Sequence, residues 1–243
     1  MLTIVSVPLP FSGNQLTIDH QHNAIKSWTL LEPRPEIILL GNEYGIAEVA
    51  EQYNVHHVPE IGRNELGDLS MRSIFRQADK YASNDWISYT DTDVILLDDF
   101  MPMFFYLVTT FCEFVSCAGR WDANIPGRLD FDNPDWQKAA TDSIFKLHPR
   151  GADYCIYRTG FYHEMPDFSI GRGWWDGWRM GYPFKVGVPL VNVERVCKAI
   201  HQKHGHRWSG QPGTGRNKGM LKGTEAWVTN ASNYVEPKDM QCF

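Results

Sequence analysis

Cysteine is scarce and unpatterned in this chain. The five residues, at positions 112, 117, 155, 197 and 242, form no CxxC pair and are odd in number. They read as reduced, mostly buried thiols of an intracellular protein rather than a disulfide framework. Long apolar runs are also lacking. The most apolar stretch, 101–115, is interrupted by Pro102 and Glu113 and is too short for a bilayer span, so no integral membrane anchor is expected. The opening MLTIVSVPLPF has no basic n-region and no cleavage site, so no signal peptide is expected and the expected location is cytoplasmic. A positive excess is missing as well. The net charge of −6 argues against a nucleic-acid partner. There is no internal repeat and no long linker.

What remains is an ordinary globular balance, 43% hydrophobic and 21% charged over 243 residues, enough for a sizeable core. Aromatics reach 13%, with nine tryptophans, which suits either a sugar-stacking cleft or a large core. The first half alternates strand and helix patterns. Strands are expected at 2–7, 36–40, 55–58 and 86–89. Helices are expected at 15–31, at about 45–53, and from a cap at Asp68 to about Ala82. This order implies an α/β fold with a mostly parallel central sheet flanked by helices, whose ligands collect at the carboxyl ends of the strands. In the second half, 119–136 reads as loop, strands are expected at 112–118, 154–157 and 184–193, and a short helix at about 173–181. The Gly-rich, basic stretch 209–223 reads as a mobile segment. One domain with an elaborated second half accounts for the whole.

The sharpest chemical signal is Asp91-Thr92-Asp93, between the apolar strand ending at Tyr89 and the apolar Val94-Ile95. Two carboxylates at i and i+2 converge on a hard cation if the backbone turns there, and Mg²⁺ or Mn²⁺ held so would bind phosphate oxygens. A polar turn with solvated aspartates is the plain alternative. Three further stretches stand out: Gly119-Arg120-Trp121-Asp122, the run Pro166 to Asp176 (PDFSIGRGWWD), and Ala199 to His206 (AIHQKHGH). Together with the DTD these resemble a set of bacterial and phage glycosyltransferases of the GT-A, Rossmann-like fold. In that family a DxD motif holds a divalent cation and the diphosphate of a nucleotide sugar. Many of these relatives carry Asn at the position of Asp91, which makes Asp93 the safer ligand.

The resemblance implies a single GT-A domain, with a nucleotide-sugar-binding half at 1–98 and an acceptor-binding half at 99–243 ending in a mobile C-terminal segment. It implies a metal-dependent hexosyltransferase using Mn²⁺ or Mg²⁺. The donor would be a nucleotide-diphosphate sugar, UDP-linked by the prior of the fold. The acceptor would be a hydroxyl of a glycan or another molecule, and inversion is the preferred outcome. Asp176, at a helix start, takes the place of the base that deprotonates the acceptor; Trp174, Trp175 and Trp178 would desolvate it and raise its pKa. A first-turn aspartate that merely stabilises the helix is the alternative. His204 is the first choice for a further metal ligand and His201 the second, with His206 also in the cluster. Ordinary core or surface histidines are the competing reading.

Other candidates follow from the architecture. Pro8, Leu9 and Pro10 would floor the base, unless Pro8 to Phe11 is only a tight loop. Asn42 and Glu43, just after the second strand, would meet base or ribose. Arg72, four residues before Arg76 on one helix face, reaches the donor or pairs with surface acids. Lys203 opens a stretch to Gly223 with five basic residues and no acidic one, either a cover for the donor pyrophosphate or a solvated loop. Arg120 and Asp122 are sugar or acceptor contacts or a loop-bracing ion pair, and Asp153, Trp174 and Trp175 are further acceptor-side candidates. Two other functions share the fold. A sugar nucleotidyltransferase would show a basic Gly-rich loop after the first strand, where this chain has VPLPFSGNQ without Lys or Arg. A non-catalytic sugar- or nucleotide-binding protein would have little use for DTD, Asp176 and the histidines together.

Overall fold

The apolar runs of the first half form strands and the amphipathic stretches between them form helices. The computed structural model describes residues 1–148, 152–204, 214–220 and 234–235. In chain order the first half holds β1 (Leu2–Ser6), α1 (Gln15–Thr29), β2 (Glu36–Leu40), α2 (Ile46–Tyr53), β3 (His56–Val58), α3 (Met71–Tyr81) and β4 (Trp86–Thr90). Next come β5 (Val94–Leu96), α4 (Phe100–Thr110), β6 (Val115–Cys117), β7 (Arg120–Ala123), α5 (Trp136–Asp142), β8 (Ile144–His148) and β9 (Tyr154–Arg158). The described chain ends with α6 (Trp175–Val186), β10 (Leu190–Asn192), β11 (Ala199–Gln202), α7 (Thr214–Met220) and β12 (Tyr234–Val235).

The central sheet has the order β3-β2-β1-β4-β9, parallel except for β9, which runs antiparallel to β4. Side chains alternate across it. Leu2, Ile4, Ile37 and Leu39 face α1 and α4 through Ile25, Trp28 and Phe104, whereas Val5, Ile38, Leu40 and Tyr89 face α3 and α6 through Phe75 and Trp178. Covering both faces requires strands that are apolar throughout, and β1 is buried along its whole length. A second sheet, β5-β11-β7-β8, packs Ile95 and Ile200 against Trp136, and a third joins β12, β10 and β6. No helix among the described residues is long and apolar enough to cross a membrane. Cys117, Cys155 and Cys197 are buried and Cys112 is exposed, with no disulfide among them; Cys242 lies outside the described residues.

Several boundaries differ from the sequence reading. The third helix is capped by Ser70, whose hydroxyl accepts from the Ser73 amide at 3.2 Å, and not by Asp68, which instead pairs with Arg172 at 3.0 Å. The expected strand at 184–193 shrinks to Leu190–Asn192. Trp175, Trp178 and Tyr182 recur at helical spacing and are buried, so the helix continues to Val186 and stops at Gly187, with φ of 75°. The 119–136 loop contains β7, because its residues complete a ladder with β8 and β11. Within 209–223, residues 214–220 are helical and docked: the buried Asn217 amide accepts from the Ser169 amide and donates to the Ser169 and Gly173 carbonyls, each at 2.9 Å. The remainder of that segment lies outside the described residues.

A buried polar seam ties α1 to the second sheet. The Asn23 side chain donates to Gln202 Oε1 at 2.8 Å and to the Gly127 carbonyl at 2.9 Å, and accepts from the Leu129 amide at 2.9 Å. Gln202 in turn donates to the Asp93 carbonyl at 3.0 Å. Removing Asn23 orphans the buried Gln202 Oε1, a loss costing about 1–3 kcal/mol, and two half-buried backbone groups that cost less. Asn23→Ala is therefore expected to lower stability by about 2–4 kcal/mol in urea unfolding, with an unchanged m-value.

Candidate active site

The site is built where β4 ends. After Thr90 the backbone turns, with the Val94 amide donating to the Asp91 carbonyl at 3.1 Å. Ser6 on β1 donates to the Thr90 carbonyl at 2.6 Å and shares a hydrogen bond with the Thr92 hydroxyl at 2.7 Å, so the buried Thr92 is a brace between the two central strands. The turn sends the two aspartates to different neighbours.

Asp93 meets the histidines. β11 lies antiparallel to β5 with His201 opposite Val94, and parallel to β7 with His201 opposite Asp122. His201 is thereby delivered next to Asp93. His204 Nε2 is 2.9 Å from Asp93 Oδ2 and 3.2 Å from His201 Nε2, and His201 Nε2 is 3.5 Å from Asp93 Oδ2. One ligand atom from each of these three residues falls within 4.8 Å of the others. Asp93 Oδ1 is buried and has no hydrogen-bond partner among the described residues, a lone pair of the kind a cation satisfies. Two imidazole nitrogens with one carboxylate favour a transition-metal ion such as Mn²⁺ over the all-oxygen preference of Mg²⁺.

Asp91 meets the other carboxylates. The antiparallel register of β4 and β9 sets Thr90 against Tyr154, and the Asp91 amide donates to the Asp153 carbonyl at 2.9 Å. Burial pushes the Asp91 carboxyl well up, and Asp153, Asp93 and Asp176 add to the shift. Asp153 is raised by burial too, against the opposing pull of His201 and Arg120.

Asp176 sits in the first turn of α6, one residue past its start, while the N-cap position is Trp174, with φ of 71° and no side-chain cap bond. The side chain is 40% exposed, yet loss of hydration remains the largest influence on its carboxyl. Burial pushes it up to about 6, with Arg179 opposing and Asp153 reinforcing the shift.

The other expected residues divide by location. The buried Pro8 and exposed Leu9 and Pro10 follow β1. Their loop is pinned by Gln21, which accepts from the Leu9 amide at 2.6 Å and donates to its carbonyl at 3.2 Å. Phe11 crosses so close to Gly45 that a Cβ there would lie 2.7 Å from Phe11 Cβ, which brings this loop against the turn after β2. In that turn Asn42 is exposed and Glu43 pairs with Arg63 at 3.1 Å. Arg72 is exposed, with Nε donating to the Met165 carbonyl at 3.0 Å, on the α3 side of the sheet. Lys203 is exposed, with Nζ 5.1 Å from the centre of the Phe145 ring. Arg120 Nε lies 3.0 Å from Asp122 and 3.6 Å from Asp153. Trp174 is 40% exposed beside Lys218 Nζ, 5.3 Å from its ring. Trp175 is buried, edge-on to Tyr89 at 5.5 Å. His206 lies outside the described residues.

Arg179 was not anticipated. It is fully buried, lies 3.5 Å from Asp176, and donates to Cys155 Sγ at 3.3 Å and to the Ala152 carbonyl. Its guanidinium also lies 4.8 Å from the Trp175 ring centre. The i, i+3 spacing from Asp176 was its only sequence signal, and that spacing is common on helix surfaces. His20, buried on α1, donates from Nε2 to the Ile125 carbonyl at 2.9 Å and was likewise invisible as a neighbour of this site, though Asp93, His201 and His204 all influence its ring.

No family model matches the chain, and no curated protein does. Solved structures do. S. aureus TarS 1-349 superposes with a TM-score of 0.50 at 12% identity, covering 84% of this chain and 58% of that one. The mannosyltransferase PcManGT from Pyrobaculum calidifontis, solved with GDP-Man and Mn²⁺, superposes with a TM-score of 0.50 at 10% identity, covering 83% and 56%. The chain thus spans just over half the length of either structure. The likeness is one of fold: a GT-A, Rossmann-like α/β arrangement with a mostly parallel sheet.

The histidine geometry generates a pH dependence. Burial disfavours the charged His201 ring, but hydrogen bonding and attraction from Asp93, with help from Asp153, outweigh it and push the pKa up to about 9. The metal-free protein therefore carries a proton on His201 below about pH 9, and a ligating imidazole must lose it. Mn²⁺ affinity should rise by about tenfold per pH unit from pH 6 to 8 and flatten near 9. Calorimetry in buffers of different ionisation enthalpy should count about one proton released at pH 7.

Proposed function

We propose that this chain is a metal-dependent glycosyltransferase. It moves a sugar from a nucleotide-diphosphate sugar, with a UDP-sugar as the first donor to test, to a hydroxyl of a glycan or other acceptor. The observation that carries the reading is the convergence of Asp93, His201 and His204 at the carboxyl end of β4, with Asp176 in electrostatic range of Asp91 and Asp153. That is where a sheet of this topology collects its ligand. The Mn²⁺ complex of PcManGT supports the same assignment by analogy of fold.

Asp93, His201 and His204 would hold a Mn²⁺ or Mg²⁺ ion, which when bound supplies positive charge to diphosphate oxygens. In this reading residues 1–98 form the donor half. Pro8 to Pro10 lie under the base, Asn42 and Glu43 offer polar atoms at the end of β2, and Arg72 and Lys203 add positive charge. Residues 99–243 form the acceptor half. A carboxyl with a pKa of about 6 is ionised near neutral pH and still basic enough to accept a proton in the transition state. Asp176 takes the acceptor proton while the acceptor oxygen bonds to the anomeric carbon and the bond to the diphosphate oxygen breaks. One such in-line displacement inverts the anomeric centre. Arg179 holds the Asp176 carboxylate in place from the buried side. The loop after β1 has no Lys or Arg to cradle a triphosphate, which speaks against a nucleotidyltransferase.

Two measurements test the proposal. Calorimetry with UDP should show binding only when Mn²⁺ is present, and Asp93→Ala should abolish it; equal affinity in EDTA would sink the metal reading. Asp176→Asn should cut turnover by about 10²–10⁴-fold while leaving donor affinity nearly intact, since Asn keeps the shape but accepts no proton. Turnover within a few-fold of wild type, with an unchanged thermal melt, would make Asp176 structural and move the search for the base to Asp153 or Asp122.

A further inference from the structure

Asp122 resembles an acceptor contact in sequence, but both of its oxygens are already engaged. Oδ1 lies 2.9 Å from His201 Nδ1 and 3.0 Å from Arg120 Nε, and Oδ2 lies 2.9 Å from His148 Nε2. The residue is 7% exposed. These partners come from three strands of the second sheet: Asp122 and Arg120 from β7, His148 from β8 and His201 from β11. Asp122 and His201 are direct register partners on parallel neighbours, so their side chains leave the sheet on the same face.

We infer that Asp122 is a positioning residue that orients His201 for the cation. The inference rests on the metal reading given above. An ionised carboxylate only accepts hydrogen bonds. Facing it, Nδ1 of the His201 ring must carry the proton, and the lone pair of the neutral ring is then left on Nε2. Nε2 is the nitrogen that points to the cluster, 3.5 Å from Asp93 Oδ2 and 3.2 Å from His204 Nε2. The opposite tautomer would aim an N–H at the place of the ion. Arg120 and His148 clamp the carboxylate from its other sides, so it cannot swing away from the ring. The arrangement is the carboxylate–histidine pair that fixes ring orientation and raises ligand basicity at metal centres. It also explains a buried, multiply paired aspartate that has no free oxygen for a sugar hydroxyl.

Titration of the full chain with MnCl₂ alone tests this, with no donor or acceptor present. Wild type should bind one ion, His201→Ala should lose it, and Asp122→Asn should bind about 10–100-fold more weakly. Asn can rotate to present its NH₂ to Nδ1 and so no longer enforces the tautomer. Wild-type affinity in Asp122→Asn, with His201→Ala defective, would overturn this inference alone. A wild type that takes up no Mn²⁺ would overturn the metal reading and this inference with it. If Asp122→Asn does not unfold cooperatively, nitrogen-15 NMR of histidine-labelled wild type decides, with Zn²⁺ as a diamagnetic probe. A proton on His201 Nδ1 with Nε2 bound to zinc supports the inference, and ligation through Nδ1 overturns it.

Discussion

Charge balance at the end of β4 is the constraint on which the site rests. Among partly desolvated carboxylates, Asp153, Asp93 and Asp176 push up the Asp91 carboxyl, Asp93 pushes up that of Asp153, and Asp153 that of Asp176, with Asp122 nearby. Like charges so placed cannot all ionise without compensation. Compensation comes from fixed cations and histidines set between them: Arg120 between Asp122 and Asp153, Arg179 behind Asp176, and His201 and His204 on Asp93. The net result is uneven. Asp93 is driven well below the usual carboxylate range even though burial works against it, because two histidines hydrogen-bond to it, while Asp91 is driven above that range. Asp93 is thereby held ionised beside the two histidines, while the Asp176 carboxyl is pushed up to about 6.

The second sheet supplies much of that compensation. β11 inserts between β5 and β7, so a strand from the last third of the chain ends beside the DTD turn. Gln202, one residue after His201, points its amide at the Asp93 and His20 carbonyls, and Asn23 holds Gln202 from α1. Placement of His201 beside Asp93 therefore depends on a buried polar seam rather than on local loop geometry. Such seams specify one arrangement when every member is satisfied.

Much of the first half was legible in the sequence because its strands are buried on both faces and its helices are amphipathic. β2 and α2 lie within a residue or so of expectation, and the parallel order followed from their alternation. The second half was harder. β7 and β8 are short and carry polar residues such as Arg120, Asp122 and Lys146; they pair with each other, and β7 is held in the sheet by β11, a strand distant in sequence. α6, expected at about 173–181, runs on to Val186 because burial of Trp178 and Tyr182 carries the helix through Gly181 and Pro183. Tertiary packing overrides local propensity in such places.

For the site, the sequence by itself determined which residue types were on offer. It showed a carboxylate pair at a strand end, an aspartate among glycines and tryptophans, and a histidine cluster near the end of an acidic chain. These signals are local, carried by spacing along one segment. Tertiary structure decided the partnerships. Whether His201 or His204 meets Asp93 depends on the register of β11 against β5, and the engagement of Asp122 by His201 depends on the register of β11 against β7. Arg179, beside Asp176 on the same helix, becomes buried only when α6 packs its Trp175 against Tyr89. A one-residue slip in either ladder would turn each of these side chains to the opposite face, and register between segments roughly 80 to 110 residues apart is set by the packing of whole layers, which no local pattern encodes.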